Sequence, residues 1–420
     1  MPDPKVLIIG CGVAGPVAAN FYKRKGYDPI IFEKVARLGD AGASLMLMPN
    51  GMNVLNLVGL ANTVATELEP LHSFVERTAT GELLAESELP SSFAAKYGQP
   101  AVGIKRTTLN LMLKDMLLNL GVEVREGWKL VDIRETEDDV TAIFDNGQSV
   151  TGSFLVGCDG IRSTTRQVLQ RRLGILQRPP EYTGLVQMAG ISKTPASLLD
   201  TPAMRNWYGQ GNHVIAYPVS KTHISWAATM REAQEEETWR LYSPEEIKTQ
   251  TAALATRLDG WEPVIRDMVL SAERIVKFGL FDREELRSDQ WYSQRCVLIG
   301  DAAHPTSPHL GQGANQALED CYHLCHSMPF LDPQSDEFEK SIATFGPQLS
   351  DTYFRPLAEK RQPRTSSLVK AAREVGELRT TNDSEKCRQR DDAITLHWQD
   401  VEKVDAKYRA LLTATFPALT

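Results

Sequence analysis

The stretch Gly10-Cys11-Gly12-Val13-Ala14-Gly15 constrains the fold most tightly. It follows the apolar run Val6-Leu7-Ile8-Ile9 and opens PVAANFYKRKG, which reads as a helix, before DPIIFEK returns to strand character. Pro16 is acceptable there because a first-turn N–H needs no intrahelical partner, and Gly26 fits the helix C-cap. Residues 5–34 therefore predict a βαβ unit that starts a parallel sheet. In such a turn the first glycine permits the tight bend, the second lets backbone approach a pyrophosphate, and the third lets helix and strand pack closely. The helix N-terminus adds unpaired N–H groups and positive dipole for the anion. Glu33 ends the second strand, about 20 residues on, where a carboxylate accepts hydrogen bonds from a ribose diol. The pattern marks an adenine dinucleotide and leaves FAD and NAD both open.

Bulk properties narrow the partners. A formal charge of -8 and a pI of about 5.6 argue against nucleic acid. Six cysteines without framework spacing suit a reduced, cytoplasmic setting. The run Val6 to Ala19 superficially resembles a signal sequence, but its glycines at fixed offsets and Asp3 upstream argue otherwise. No stretch reaches the roughly 18 to 20 apolar residues of a stable membrane span. At 420 residues and 42% hydrophobic, the chain can bury two domains or one large interleaved unit.

Residues 105–120 carry Leu and Met at helical spacing up to Gly121. The following segment alternates, holds an Asn146-Gly147 turn signal, and closes in the strand Phe154–Val156 before Asp159. Pro179-Pro180 opens a β-rich region, and RCVLIGD then returns to the nucleotide-binding style. The expected division is 1–178, with an excursion at about 73–99 into the substrate unit, a sheet domain over 179–275, a return to the first domain over 276–350, and C-terminal helices over 351–420. The last segment reads as a packing or oligomer set, which leaves a homodimer open.

Two later loops repeat one device: VGCDGIRSTTR (156–166) and LIGDAAHPTSPHLGQGANQALED (298–320) each place an Asp after an apolar strand and before a helix. With the fingerprint, this trio resembles the group A flavin monooxygenases of the p-hydroxybenzoate hydroxylase fold, close to the salicylate and 6-hydroxynicotinate hydroxylases, over about residues 5 to 375. The resemblance implies an α/β fold: a Rossmann-like FAD-binding domain, an inserted β-sheet substrate domain and a C-terminal helical region. It further implies that Asp301 meets the FAD ribityl and phosphate region and that Pro308 to Asn315 wraps the isoalloxazine. Gly311 and Gly313 suit a flat ring lying against backbone, and a helix starting at Gly313-Ala314-Asn315 aims its positive end at the ring's anionic edge. Arg106 matches the family's flavin-binding Arg, Ser44 replaces a usual glycine beside the cofactor, and Asp159 is implicated in handling both FAD and NAD(P)H. No second dinucleotide fingerprint is present, in keeping with a family that uses NADPH or NADH only transiently.

By the same resemblance NAD(P)H reduces the FAD, O2 adds at C4a, and the hydroperoxide hydroxylates an electron-rich phenol. His213, Tyr217 and His309 match positions that handle a phenol proton, and His213 and Tyr217 fall on one face of a strand. His304 reads as loop architecture. Ala189 stands where members often carry Arg; together with Met46, Met48 and Met188, and with Trp207 nearby, it predicts an apolar, adaptable pocket. That favours an alkyl-bearing acid and a reaction resembling decarboxylative hydroxylation of a prenylated 4-hydroxybenzoate to a hydroquinone. Ortho-hydroxylation or epoxidation of a secondary metabolite without CO2 loss is the alternative, and a flavin-binding protein without turnover is the alternative of another class. A halogenase would need a Trp-x-Trp-x-Ile-Pro signature, which Trp261-Glu262-Pro263 does not match. Cys321 and Cys325 share a helical face but lack four-ligand spacing, so no metal is expected.

Overall fold

A computed structural model describes residues 4–37, 42, 44–176, 178–233, 237–238, 242–331, 348–413 and 416. Five parallel strands lie side by side in the order Cys296–Leu298, Phe154–Gly157, Lys5–Ile9, Asp28–Glu33 and Glu123–Glu126. After Lys5 the central strand is apolar, Val6 to Ile9, because it is covered on both sides. Val6 and Ile8 face one core with the helices Ala14–Arg24, Arg106–Asn119 and Gly313–Ser327, while Leu7 and Ile9 face a second core under the antiparallel strands of 130–152.

This strand order decides where a ligand sits. Ile9 pairs with Gly157 and Gly157 with Leu298, so three strands end together. Their carboxyl ends deliver the Gly10 turn, Asp159 and Asp301 to one edge of the sheet, where open parallel sheets bind ligands.

The second large element is an eight-stranded sheet in the order Glu237–Thr238, Ala272–Asp282, Glu181–Lys193, His223–Arg231, Asn212–Pro218, Ala203–Tyr208, Ser73–Thr78 and Leu83–Ser87. The early segment Ser73–Ser87 joins it through a parallel pairing with Ala203–Tyr208. One face packs on the helices Pro244–Arg257 and Pro263–Leu270 through Met188, Trp207, Val214 and Trp226. The other face alternates with it and looks toward the first sheet.

The chain closes with the helices Arg355–Arg379, Ser384–Gln399 and Val401–Leu412. Hydrogen bonds dock them on the large sheet: Gly211 N–H donates to Thr381 O (2.8 Å) and the Arg390 side chain donates from Nη1 to Gly209 O (3.0 Å). Among the described residues, no helix is long and apolar enough to cross a membrane.

Candidate active site

Between the two sheets lies a cleft of about 1450 Å³. A single small-molecule pocket occupies roughly 300–1,000 Å³, so this one has room for an elongated dinucleotide and a second molecule beside it.

At one end stands the fingerprint. Gly10 adopts φ +104°, and a Cβ there would lie 2.6 Å from Cys158 O. A Cβ on Gly15 would lie 2.1 Å from Gly10 O, so helix and strand touch through backbone alone. Gly12 has nothing within 4 Å of its Cβ position and lines the cleft, which leaves its backbone open to a ligand. No side chain caps the helix that starts at Ala14, so its first N–H groups remain available to an anion. Glu33 is held by Cys11 N–H (2.8 Å) and Val35 N–H (3.0 Å) while lining the same wall.

Asp159 accepts from Ser163 Oγ (2.5 Å) and from Thr165 N–H (3.1 Å), which opposes but does not cancel the upward push of burial on its carboxyl. Asp301 is walled by protein yet open to the cleft. Burial raises its carboxyl above the usual range, and His304 and Arg106 pull it partly back. Behind it Asp320 accepts from Gly300 N–H (2.8 Å), His304 (2.5 Å) and Arg361 Nε (2.6 Å). Burial would raise Asp320, but His304 and Arg361 hold it well below the carboxylate range. This network fixes the loop that presents Asp301, and gives His304 an architectural task.

Arg106 lines the middle of the cleft with its Nε lacking a protein partner among the described residues. A Cβ on Gly42 would come within 2.8 Å of Arg106 Cδ, so that glycine makes the cradle in which the arginine lies. A buried guanidinium without its full set of acceptors needs one from a ligand. Gly311 (φ +61°), Gly313 and Ala314 also line the cleft, at the uncapped start of the helix Gly313–Ser327. A glycine-edged groove, a half-buried arginine whose Nε lacks an acceptor and two helix N-termini fit the acceptors and anions of FAD. Asn315 acts differently: its side chain binds Met48 N–H (3.0 Å), Met46 O (3.0 Å) and Gly311 O (2.8 Å), stapling the loop to the neighbouring strand.

The far part of the cleft lies against the large sheet. Tyr217 Oη is 2.7 Å from Ser44 Oγ, which is 2.6 Å from Ser225 Oγ, and Ser225 in turn reaches Gly190 O at 3.3 Å. Burial raises Tyr217 above its ordinary value against the pull of the two serines, so it is a neutral hydroxyl at neutral pH. Met46 and Met48 line the wall beside it. His213 shares the strand face with Tyr217 as the spacing predicts, but Nε2 binds Asn206 Oδ1 (3.0 Å) and its ring packs on Tyr208 (5.0 Å). It is 1% exposed and stands behind the wall that Asn206 and Tyr208 make.

Two pocket residues expected from sequence are placed elsewhere. Met188 and Trp207 point to the opposite face and pack on the helix pair, because their neighbours Gln187, Ala189, Asn206 and Tyr208 take the cleft side. The C-terminal helices, expected as a packing or oligomer set, instead form a wall: Arg379, Ile394, Trp398, Lys407 and Tyr408 all line the cleft. Phe74 stacks on Tyr408 (5.4 Å, 19°) and meets Trp398 (5.7 Å), which closes that end with aromatic rings.

His309 lines the cleft, yet its ring nests against the long helix where Gly376 has no side chain; a Cβ there would lie 2.5 Å from His309 Cδ2. Arg379 Nη1 donates to His309 O (2.8 Å), so the loop is braced from two sides. Burial, with Arg379 adding to it, pushes the imidazole down to about 3. The ring is therefore neutral when folded and would protonate near 6.5 when unfolded. Its stabilising contribution is complete above about pH 6.5 and is lost as pH falls toward 3, by about 1.4 kcal/mol per unit. Thermal melts at pH 7 and 4.5 should therefore show a smaller acid loss in His309→Gln than in the wild type. Equal losses would place the proton elsewhere.

Comparison with known proteins follows the same lines. The family model described as FAD binding domain matches residues 3–329. The chain is 30% identical to 3-amino-4-hydroxybenzoate 2-monooxygenase of Streptomyces cremeus, over 93% of this chain and 91% of that one. It is 29% identical to 3-hydroxybenzoate 6-hydroxylase of Klebsiella oxytoca, over 89% and 88%. In fold it is similar to Klebsiella pneumoniae HpxO complexed with FAD and uric acid, with a TM-score of 0.80, 22% identity and 97% of each chain covered. A salicylate hydroxylase substrate complex gives a TM-score of 0.73 at 23% identity, with 100% of both chains covered. With its fingerprint, strand-end aspartates and glycine-edged groove in one cleft, this chain belongs to the FAD-dependent aromatic monooxygenases.

Proposed function

We propose that the enzyme hydroxylates the ring of a phenolic aromatic acid, taking electrons from NADPH or NADH and one oxygen atom from O2. Bound FAD supplies the redox chemistry, accepting hydride and activating oxygen. The cofactor is assigned to Gly10, Gly12, Gly15 and Glu33 at the adenosine end and to Asp159, Arg106 and Asp301 along its middle. Gly311, Gly313, Ala314 and the N–H of Asn315 are assigned to the ring. Ser44, expected beside the cofactor, is reassigned to Tyr217.

The observation that carries the phenol reading is the hydroxyl chain Tyr217–Ser44–Ser225 on the cleft wall. Ser225 has one proton to give, and donated to Gly190 O (3.3 Å) it leaves Tyr217 donating to Ser44. Donated along the shorter contact to Ser44 (2.6 Å), it lets Ser44 donate to Tyr217 Oη and turns the Tyr217 O–H to a substrate oxygen, the arrangement a bound phenol selects. A neutral donor there favours the phenolate, and a phenolate ring is electron-rich. His213 and His309 support this wall in the reading adopted here: one fixes Asn206 and the other braces the loop, and neither is charged at neutral pH.

A second reading adds CO2 loss from a prenylated 4-hydroxybenzoate, giving a hydroquinone. It is favoured by the apolar wall of Met46, Met48, Phe74 and Ile215, although Met188 no longer contributes to it. The rival keeps the carboxyl, as in a plain ortho-hydroxylase. Carboxyl-labelled and ring-labelled hydroxybenzoates of increasing alkyl length, given with NADH or NADPH, separate the two. Label retained in the product ends the decarboxylative reading. Flavin that neither nicotinamide reduces with any phenol present ends the enzyme reading as well.

A further inference from the structure

We propose that Arg379 and Lys407, carried into the cleft by the C-terminal helices, form the subsite that takes the substrate's carboxylate. This deepens the phenolic-acid reading above and rests on it.

The large-sheet wall offers Gln187, Ala189, Asn206, Tyr208, Ile215 and Tyr217, none of them a cation. The cleft's other cations, Lys34, Arg106, Lys129 and Arg162, belong to segments around the first sheet, so an anionic group lying against the large-sheet wall finds its counter-charge on the facing helices. On those helices Arg388, Arg390, Lys403 and Arg409 each have an acid within 4.0 Å, at Glu385, Asp391, Asp400 and Asp405, and Lys386, which also lines the cleft, is an exposed side chain. Arg379 and Lys407 have no such partner among the described residues, and both face the cleft. The acid nearest in influence is Glu76 on the sheet, whose own range both cations pull down against the upward push of burial. Glu76 is already engaged: Oε2 accepts from Tyr208 Oη (2.7 Å) and Oε1 from Asn206 Nδ2 (3.3 Å). Lys407 is correspondingly under-compensated: burial lowers its ammonium, Glu76 raises it, and Arg379 lowers it again.

Position adds to charge. Arg379 reaches the carbonyl of His309 in the loop that edges the flavin groove, while Lys407 adjoins Tyr408 in the aromatic end wall. A planar acid with its carboxylate between these cations has its ring bounded by Tyr408 and the methionine wall. A planar guanidinium and an ammonium together recognise a carboxylate by charge-assisted hydrogen bonds.

The test is calorimetric titration of the FAD-loaded full chain with 3-amino-4-hydroxybenzoate and with its methyl ester. The wild type should bind the acid more tightly than the ester. Lys407→Met should raise the Kd for the acid by about 10- to 100-fold and leave the ester within about threefold, while Lys407→Arg keeps most of the affinity. Acid and ester weakening alike, or an acid affinity indifferent to Lys407, overturns the subsite, as does a wild type that prefers the ester. The parent reading fails separately: an enzyme that binds the acid through Lys407 yet yields no hydroxylated product keeps the subsite and loses the reaction.

Discussion

Gly15→Ala is expected to give a colourless protein. The new Cβ would lie 2.1 Å from the carbonyl oxygen of Gly10, a backbone atom that no rotamer change can move. The helix Ala14–Arg24 must then retreat from the central strand, at an overpacking cost of about 1–3 kcal/mol and with its N-terminus withdrawn from the pyrophosphate. Gly12→Val separates folding from binding. Nothing lies within 4 Å of that Cβ, so the melting temperature should stay near wild type, but the side chain projects into the cleft. Its FAD affinity should fall by roughly 100-fold, about 2.7 kcal/mol. Visible flavin absorbance after gel filtration, with a thermal melt of each apoprotein, checks both. Retained flavin in either variant would remove the fingerprint from the binding site.

These glycines were readable before any coordinates because their meaning is local: strand, turn and helix lie within about twenty consecutive residues. The aspartate loops were readable for a related reason. Asp159 and Asp301 each follow a short apolar strand, and parallel pairing with Lys5–Ile9 then brings both to the edge that holds Gly10. Each signal was short, and the sheet rule joined them.

Strand spacing put His213 and Tyr217 on one face, but which face of the sheet meets the ligand was not readable. Met188 and Trp207 sit one position away from cleft-lining neighbours, and a shift of one residue exchanges the faces of a strand. Both faces of this sheet are apolar enough that hydrophobicity does not label the one that meets the ligand. Ser225 was missed because its link to Tyr217 runs across a strand pair, and a lone serine in HISWAATM has no motif. The C-terminal helices were legible as helices, but their place on the cleft was not, for lack of any local signature. Their placement rests on contacts such as Arg390 to Gly209 and Arg231 to Thr380, each bridging well over a hundred residues. Their amphipathic pattern specifies that a face is buried and is silent on what it covers.

Tyr217→Phe should lower kcat by about 10²- to 10³-fold while leaving the Kd for the aromatic acid within about threefold, because a donor aimed at developing charge matters most in the transition state. The sign of its pH effect follows from the same contact. Donation to the substrate oxygen favours the phenolate and lowers the bound phenol's pKa, so removing the donor should move the acidic limb of the kcat profile to higher pH. Raising the pH would then recover part of the lost rate in Tyr217→Phe, which a merely structural defect would not allow. Ser44→Ala should shift the limb in the same direction with a smaller loss, about 2- to 12-fold, since it removes one neutral hydrogen bond from Tyr217. If the profile of Tyr217→Phe keeps its wild-type limb at a uniformly lower rate, the tyrosine shapes the cleft rather than the phenol's charge. The hydroxyl chain would then be packing, and the proton would have to be handled by a group outside it.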